Sequence, residues 1–213
     1  MWGELLDAAV PRACPGCGEP GDVCPSCRRV FASPPVPLAP RVHVPAPVWS
    51  CGSYSGPRRA VVLAAKERCD AAARGVMGSV TGAALLRLMA EGALPHPSQS
   101  PLMLVPAPTR ASAARRRGGD PVAAACAVAA ARVPGARVAR LLRTVEEAED
   151  SAGLTAAGRR ANIAGKIVPA GSARGPVVLV DDVATTGATA AQSVLVLSSM
   201  GVRVEGVIVF SHA

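Results

Sequence analysis

Aromatic residues are scarce in this chain of 213 residues, of which they make up only 2%. Proteins that bind single-stranded nucleic acid without sequence preference stack successive bases on aromatic rings. The composition therefore argues against a dedicated platform of that kind. Half of the residues are hydrophobic all the same, and because most of these are Ala, Val and Leu, we expect an aliphatic core.

Lysine is almost absent as well, since the basic residues are 21 arginines and only two lysines, Lys66 and Lys166. Together with abundant Ala, Gly and Pro, this bias is typical of a GC-rich coding sequence and says little about function. The net charge of +8 favours polyanionic partners, either nucleotides or nucleic acid. A solvated surface with scattered arginines gives the same charge, so both interpretations stay open.

Long hydrophobic runs are also missing. The longest uncharged apolar stretch, Val122 to Ala131, is too short to span a bilayer. The first ten residues contain Glu4 and Asp7 and lack the basic start of a secretory signal peptide. We therefore expect a cytoplasmic protein without a membrane partner, with room for one full domain and a small appendage.

The most informative stretch begins with Val177 to Val180, four apolar residues that predict a buried strand. Asp181 and Asp182 stand at its carboxyl end, and a loop of hydroxyls and Gly187 leads into an Ala-rich helical segment. In open α/β sheets, ligands bind outside the carboxyl ends of the strands, and a helix N-terminus offers N–H groups to a phosphate. The pattern fits a phosphorylated sugar. The alternative is a plain strand-to-helix turn with Asp and Thr as capping residues.

The run from Val177 to Thr189 resembles, at every position, the phosphoribosyl-pyrophosphate (PRPP) signature of type I phosphoribosyltransferases. The resemblance implies that Asp181 and Asp182 are the catalytic residues and bind the ribose 2′- and 3′-hydroxyls. It also implies Mg²⁺ bound together with PRPP. The 5′-phosphate would lie in a loop made of Ala184, Thr185, Thr186, Gly187, Ala188 and Thr189.

A second loop follows a short buried strand that we predict over Leu102 to Val105. Its prolines fix the backbone, and the arginines after it are suited to bidentate pairing with phosphate oxygens. Taken alone, such a loop is more often a solvated surface loop, but the PRPP signature downstream favours a pyrophosphate loop. Its residues would be Pro106, Ala107, Pro108, Arg110, Arg115, Arg116 and Arg117.

Four cysteines near the N-terminus form two C-x-x-C pairs, Cys14 with Cys17 and Cys24 with Cys27. Four thiolates satisfy tetrahedral Zn²⁺ and leave no open position for chemistry, so we predict a structural zinc site. Such a site would fold a segment too short to build its own core. Disulfides are one alternative, disfavoured by reducing conditions, and a rubredoxin-like iron centre is another.

Strands that alternate with helices predict an α/β domain with a parallel sheet covered on both faces. We expect helices from near Pro57, over 75–91, over 120–132 and from Thr189, and further strands over 52–54, 138–142 and 202–210. Six prolines within 34–47 predict an extended, semi-rigid linker. The chain would thus contain an N-terminal helix and zinc knuckle (1–33), a Pro-rich linker (34–48) and a phosphoribosyltransferase-like domain (49–213).

The order of these motifs resembles the ComF family over nearly the whole chain. The matching features are the four cysteines, then Tyr54, Arg58 and Lys66, then Val-Pro-x-Pro with Arg117-Gly118, then Arg143 with Asn162, and finally the Asp-Asp-x-x-Thr-Thr-Gly segment. The resemblance implies the type I phosphoribosyltransferase fold and an association with natural competence and DNA uptake. Single-stranded DNA and competence proteins are then the candidate macromolecular partners.

The chain departs from the ComF pattern at positions that bear on the acceptor. Gly119 and Asp120 stand where the family often has an aromatic residue and Asn, and Glu67 stands where an aromatic residue usually follows the Lys. A ring nitrogen, an amine and ammonia all remain open as acceptors. Two functions therefore compete: an active phosphoribosyltransferase, and a non-catalytic, nucleic-acid-associated accessory protein that keeps the PRPP pocket as a sensor or relic.

Overall fold

A computed structural model describes residues 12–96, 101–116, 118–145, 167–173 and 175–213. The predicted N-terminal helix, Arg117 and the segment that contains Asn162 lie outside these residues. The helices within them are α1 (Pro25–Phe31), α2 (Gly56–Glu67), α3 (Ala71–Ala90), α4 (Ala111–Arg116), α5 (Pro121–Arg132) and α6 (Ala188–Ser199). The strands are β1 (Val36–Pro37), β2 (Val48–Ser50), β3 (Met103–Pro106), β4 (Arg137–Val138), β5 (Leu142–Thr144), β6 (Ile167–Pro169), β7 (Pro176–Ala184) and β8 (Arg203–His212).

The main sheet has six strands in the order β1-β2-β8-β7-β3-β4. All neighbouring pairs in it are parallel except β1 with β2, which is antiparallel. The strands β5 and β6 form a separate two-stranded antiparallel sheet. The prediction of a mostly parallel sheet flanked by helices is therefore confirmed.

Aliphatic side chains fill the space on both faces of this sheet. On one face, α2, α3 and α5 pack against apolar residues of β7 and β8 that include Val180 and Ile208. On the other face, α6 and the strands β5 and β6 pack against residues that include Leu179 and Val207. Alternate residues of the central strands thus enter opposite cores, as the pleat of a strand requires.

Several strand boundaries differ from the sequence prediction. The strand β7 continues through Asp181 and Asp182, because β8 pairs with it as far as Ala184 and His212. The predicted strand over 138–142 is divided, since β4 joins the main sheet and β5 turns away to pair with β6. At 52–54, where a short strand was expected, the structure has only an isolated bridge from Ser53 to His212, and the strand itself is β2.

The proline-rich residues 34–48, expected to be a linker, contribute to the sheet. Their strand β1 pairs with β2 and forms one edge of the sheet. Proline, which has no N–H, is tolerated in an edge strand because the outer side of that strand has no partner to which an N–H must donate. Leu38 donates its backbone N–H to the Val48 carbonyl at 2.8 Å, and Val44 is buried. The segment is therefore folded against the domain that follows it.

The contact between α3 and α5 provides a test of the packing. A Cβ added to Gly78 of α3 would lie 2.5 Å from both the Ala125 carbonyl oxygen and Val128 Cβ, whereas one added to Gly75 would meet nothing within 4 Å. We expect Gly78→Ala to lower the free energy of unfolding by about 1–3 kcal/mol through overpacking. The matched control Gly75→Ala should raise it by about 0.5–1 kcal/mol through helix propensity. Urea unfolding measures both, and changes of the same sign would contradict this packing.

Candidate functional site

The helices that follow the neighbouring strands β3 and β7 pack on opposite faces of the sheet. The strand β3 leads through α4 to α5 in one core, and β7 leads to α6 in the other. Parallel strands that diverge in this way leave a crevice beyond their carboxyl ends, which is where open α/β sheets bind ligands. Ala107 N–H donates to the Val180 carbonyl at 2.8 Å, so the two loops that the sequence predicted to bind anions start side by side.

The two adjacent carboxylates at the end of β7 have different surroundings. Asp182 is buried, and its Oδ2 lies 2.8 Å from the Lys66 Nζ of α2. Asp181 is partly buried, and its Oδ1 accepts a hydrogen bond from the Asp182 backbone N–H at 2.8 Å. Within the described part of the chain, the Asp182 carboxylate is thus paired with a cation, whereas Asp181 accepts its hydrogen bond from a backbone N–H.

The pKa of Asp181 is strongly perturbed. Burial, and after it the charge of Asp182, raises the pKa of Asp181 to about 7, although the Asp182 N–H and Lys66 partly oppose this rise. Asp120 adds a further, smaller increase to the pKa. A ligand that brings positive charge to Asp181 would favour its ionised form, so this carboxyl is well placed to respond to a cationic group.

This pKa predicts how stability depends on pH. The folded pKa of Asp181, about 7, exceeds the ordinary value of 3.8, so its contribution to stability is full below pH 3.8 and is lost as the pH rises through 7. At about 1.4 kcal/mol per pKa unit the loss is at most about 4 kcal/mol, and we expect about half because Asp181 is partly exposed. The variant Asp181→Asn keeps the acceptor oxygen and removes the charge.

We therefore expect Asp181→Asn to be more stable than the parent protein at pH 8 and to lose most of that advantage at pH 4. Urea unfolding of both proteins across this range measures the difference. An advantage that does not change with pH would show that the carboxyl is not perturbed in the folded protein.

The loop after β7 has the features of an anion site. Thr185 and Thr186 are exposed, and Gly187 begins α6 with a φ of +86°, a left-handed conformation that favours glycine. Ala188 N–H, the first of α6, donates to the Thr186 hydroxyl at 3.3 Å. Gly187 has no side chain with which to cap α6, so the next N–H groups of the first turn, those of Thr189 and Ala190, can donate to a ligand.

Residues of the proline-rich segment cover one side of this loop. Val42 donates its N–H to the Thr186 carbonyl at 2.8 Å. A Cβ on Gly187 would overlap with Pro40, so only glycine fits here without movement of the segment. The shape of the loop is thus determined in part by residues more than a hundred positions earlier in the chain.

A cavity of about 660 Å³ opens on the β3 side of the crevice. Its wall includes the loop from Pro106 to Thr109, Asp120 at the start of α5, and three arginines, Arg115, Arg140 and Arg143. Cationic side chains with a proline-fixed backbone are suited to a pyrophosphate-like anion. Residues 181–189 are not part of the described wall, but Asp181 lies close enough to Asp120 for the two charges to interact.

The predicted pyrophosphate-loop residues fall into three groups. Pro106, Ala107, Pro108 and Arg115 line the cavity. Arg110 and Arg116 are exposed beside it and are not among the described wall residues, and Arg117 lies outside the described residues.

Three residues of the candidate site, Asp120, Lys66 and Arg140, were not assigned a role from the sequence. Asp120 caps α5 by accepting from the Val122 and Ala123 N–H groups, and its position before a proline was a detectable signal. The pairing of Lys66 with Asp182 had no local signal, because the two residues lie on different elements far apart in the chain. Arg140 reaches the cavity only because the chain bends between β4 and β5.

The four predicted metal ligands lie together. The Sγ atoms of Cys14, Cys17, Cys24 and Cys27 are all within 4.8 Å of one another. Sulfur atoms around a tetrahedral Zn²⁺ with Zn–S bonds of 2.3 Å would be separated by about 3.8 Å. All seven cysteines, each within the described ranges, are free thiols, so the structure contains none of the disulfides that were the alternative.

Backbone donors surround these sulfurs. Cys24 N–H points to Cys14 Sγ at 3.4 Å, and Cys27 N–H points to Cys24 Sγ, which caps α1, at 3.5 Å. Burial raises the pKa of the Cys14 thiol, but backbone N–H groups including that of Cys24 outweigh it and lower the pKa to about 6. Burial raises the pKa of the Cys27 thiol. Four adjacent thiolates need a cation, so this donor set fits a divalent metal.

One buried arginine joins the cysteine cluster to the sheet. Arg58 is only 3% exposed, and its guanidinium carbon lies 5.8 Å from the ring centroid of Phe31 in α1 and 5.6 Å from that of Phe210 in β8. Its Nη2 also donates to the Val30 carbonyl at 2.8 Å. Cation–π contacts of this kind, out of water, are worth about 2 kcal/mol each. The cluster is therefore anchored on α2, the helix that also carries Lys66.

Comparison with protein-family models found no match, and a search of curated proteins found none either. Within the described residues, no helix has the length and apolar character needed to cross a bilayer.

Proposed function

We propose that this protein is a PRPP-binding, phosphoribosyltransferase-like protein of the ComF type, with the type I phosphoribosyltransferase fold. The observation that carries the proposal is the crevice between β3 and β7. One of its edges has two carboxylates followed by two exposed threonines, Thr185 and Thr186, and the other has a proline-fixed loop with arginines. Ribose hydroxyls, a 5′-phosphate and a pyrophosphate would bind to these three parts in that order.

Transfer from PRPP breaks the bond between the anomeric carbon and pyrophosphate. Positive charge develops on the ribose and negative charge on the leaving group, so catalysis depends on positioning and electrostatics. Asp181 and Asp182 would orient the ribose and stabilise its developing charge. Arg115, with Arg140 and Arg143 across the cavity, would stabilise the departing pyrophosphate.

Magnesium would enter with PRPP and neutralise part of the pyrophosphate charge. The only group of three or more metal-ligating side chains found among the described residues is the cysteine cluster. We therefore assign the Mg²⁺ ligands chiefly to oxygens of PRPP, and to the protein the task of holding that complex in place.

We also propose that the four cysteines hold a structural Zn²⁺. The soft sulfur ligands suit zinc or iron, and a complete set of four leaves no position for a substrate. Metal analysis of the purified protein, with a visible spectrum to detect iron–thiolate absorption, distinguishes the two.

A second candidate function is a non-catalytic accessory role in DNA uptake, with PRPP as a signal. The exposed arginines of the cavity wall, Arg140 and Arg143, and those beside it, Arg110 and Arg116, favour it, because such groups bind phosphates of any source. Single-stranded DNA or competence proteins would then be the partners.

Titration calorimetry with PRPP and Mg²⁺ tests the shared part of both candidates. Release of pyrophosphate from PRPP in the presence of ammonia, amines or nucleobases would establish the enzyme. PRPP binding without turnover, together with salt-dependent binding of single-stranded DNA, would establish the accessory role. If PRPP with Mg²⁺ does not bind at all, both candidates fail.

A further inference from the structure

Lys66 makes the closest contact between the crevice carboxylates and any described cation. Its Nζ lies 2.8 Å from Asp182 Oδ2, and the two side chains are only 28% and 8% exposed. A buried carboxylate destabilises the folded protein unless it is paired with a cation. The lysine ammonium, a compact charge with three hydrogen-bond donors, is such a partner. The contact is therefore more than a solvated surface pair.

The charges around this contact are mostly negative. Besides burial, which is the larger cause, Asp182 and Asp120 raise the pKa of Asp181 and Lys66 lowers it. Burial, and after it Asp120 and Asp181, raises the pKa of the Cys126 thiol. A sugar phosphate that carries several negative charges must bind beside these three carboxyl groups. One cation fixed among them would reduce that repulsion.

The position of Lys66 is set by the helix that carries it. Lys66 lies in the last turn of α2, where the helix dipole favours a cation. Near the other end of α2, the Arg58 guanidinium makes cation–π contacts with the rings of Phe31 and Phe210. The lysine thus extends from an anchored helix and not from a loop.

We propose that Lys66 is a positioning residue of the PRPP site, which holds the Asp182 side chain in its ribose-binding orientation and supplies the charge that lets an anionic sugar phosphate approach the carboxylates. This inference rests on the proposed function. It adds a role on α2 to a site otherwise built from the loops after β3 and β7.

The test compares Lys66→Met and Lys66→Arg with Arg59→Met, which removes an exposed cation from the same helix. We expect Lys66→Met to weaken PRPP binding about 10- to 100-fold in calorimetry, because it leaves a buried carboxylate unpaired. Lys66→Arg should recover most of that loss, and Arg59→Met should change affinity less than threefold. The same Lys66→Met change made in an Asp182→Asn background should reduce affinity less than in the parent, because only the contribution of the Lys66 charge to ligand approach is then lost.

The pH dependence separates positioning from a merely structural role. Without Lys66 the pKa of Asp181 should rise, so Asp181 should ionise at a higher pH. The PRPP affinity of Lys66→Met should therefore reach its plateau at a higher pH than the affinity of the parent does. Equal losses in the Met and Arg variants, with unchanged pH profiles, would overturn the positioning role. The positioning role would also be overturned if the parent protein binds PRPP and Lys66→Met binds it with the same affinity. If the parent does not bind PRPP, the proposed function fails and the inference fails with it.

Discussion

We expect the double substitution Asp181→Asn with Asp182→Asn to remove PRPP binding and leave the fold intact. Asn keeps the size of the side chain and an acceptor oxygen, so the hydrogen bond from the residue 182 N–H to the side chain of residue 181 survives. The charge that would orient the ribose and stabilise its developing cation is lost at both positions. We expect a fall in affinity of at least 100-fold, because both charge-assisted contacts to the ribose hydroxyls disappear.

Calorimetry with PRPP and Mg²⁺ measures this loss, and circular dichroism with urea unfolding checks the fold. A suitable control is Glu91→Gln, which neutralises an exposed carboxylate paired with Arg87 at the end of α3, away from the crevice. The control should bind as the parent does. Unchanged binding in the double variant would refute the assignment of the carboxylates.

Removal of the metal from the four-cysteine cluster should unfold the cysteine module, residues 12–33. This module has few apolar residues of its own, and a structural zinc contributes about 10–16 kcal/mol of binding energy in small zinc-binding peptides. We expect one Zn²⁺ per chain in the parent protein and none in Cys14→Ser with Cys27→Ser. The melting temperature of that variant, and of protein treated with a strong chelator, should fall by 10 °C or more, on the order of several kcal/mol.

Cys69→Ser is the matched control, because Cys69 is exposed and lies outside the cluster. It should keep one metal ion and the parental melting temperature. Elemental analysis and thermal unfolding measure both quantities. A cluster variant that melts with the parent would show that the metal does not hold this part of the fold.

The core and the sheet were largely predictable from sequence, because the relevant signals are local. Val177 to Val180 form a continuous apolar run typical of a strand covered on both faces, and Asp120 before a proline is a helix start signal. The cysteine cluster was predictable for the same reason, since the spacing of the two pairs restricts where four sulfurs can meet.

The rest depends on pairings between distant parts of the chain. The proline content of residues 34–48 favoured a linker, but β2 beside it supplies the partner that makes Val36–Pro37 an edge strand. The contact of Lys66 with Asp182 follows from how α2 lies on the sheet, which no short pattern encodes. The strand β7 continues past the predicted end because β8 matches its length, which is again a property of the pair.

The strand order has a consequence for the synthesis of this protein. The strand β8 lies between β2 and β7 in the sheet but follows all the other described strands in the chain. During synthesis, β1 and β2 therefore leave the exit tunnel early and cannot join the sheet until β8 has followed them. The proline-rich residues that contact the turn at Gly187 belong to the same segment as β1 and β2, so a nascent chain that ends before Arg203 lacks the strand that holds this segment beside the turn.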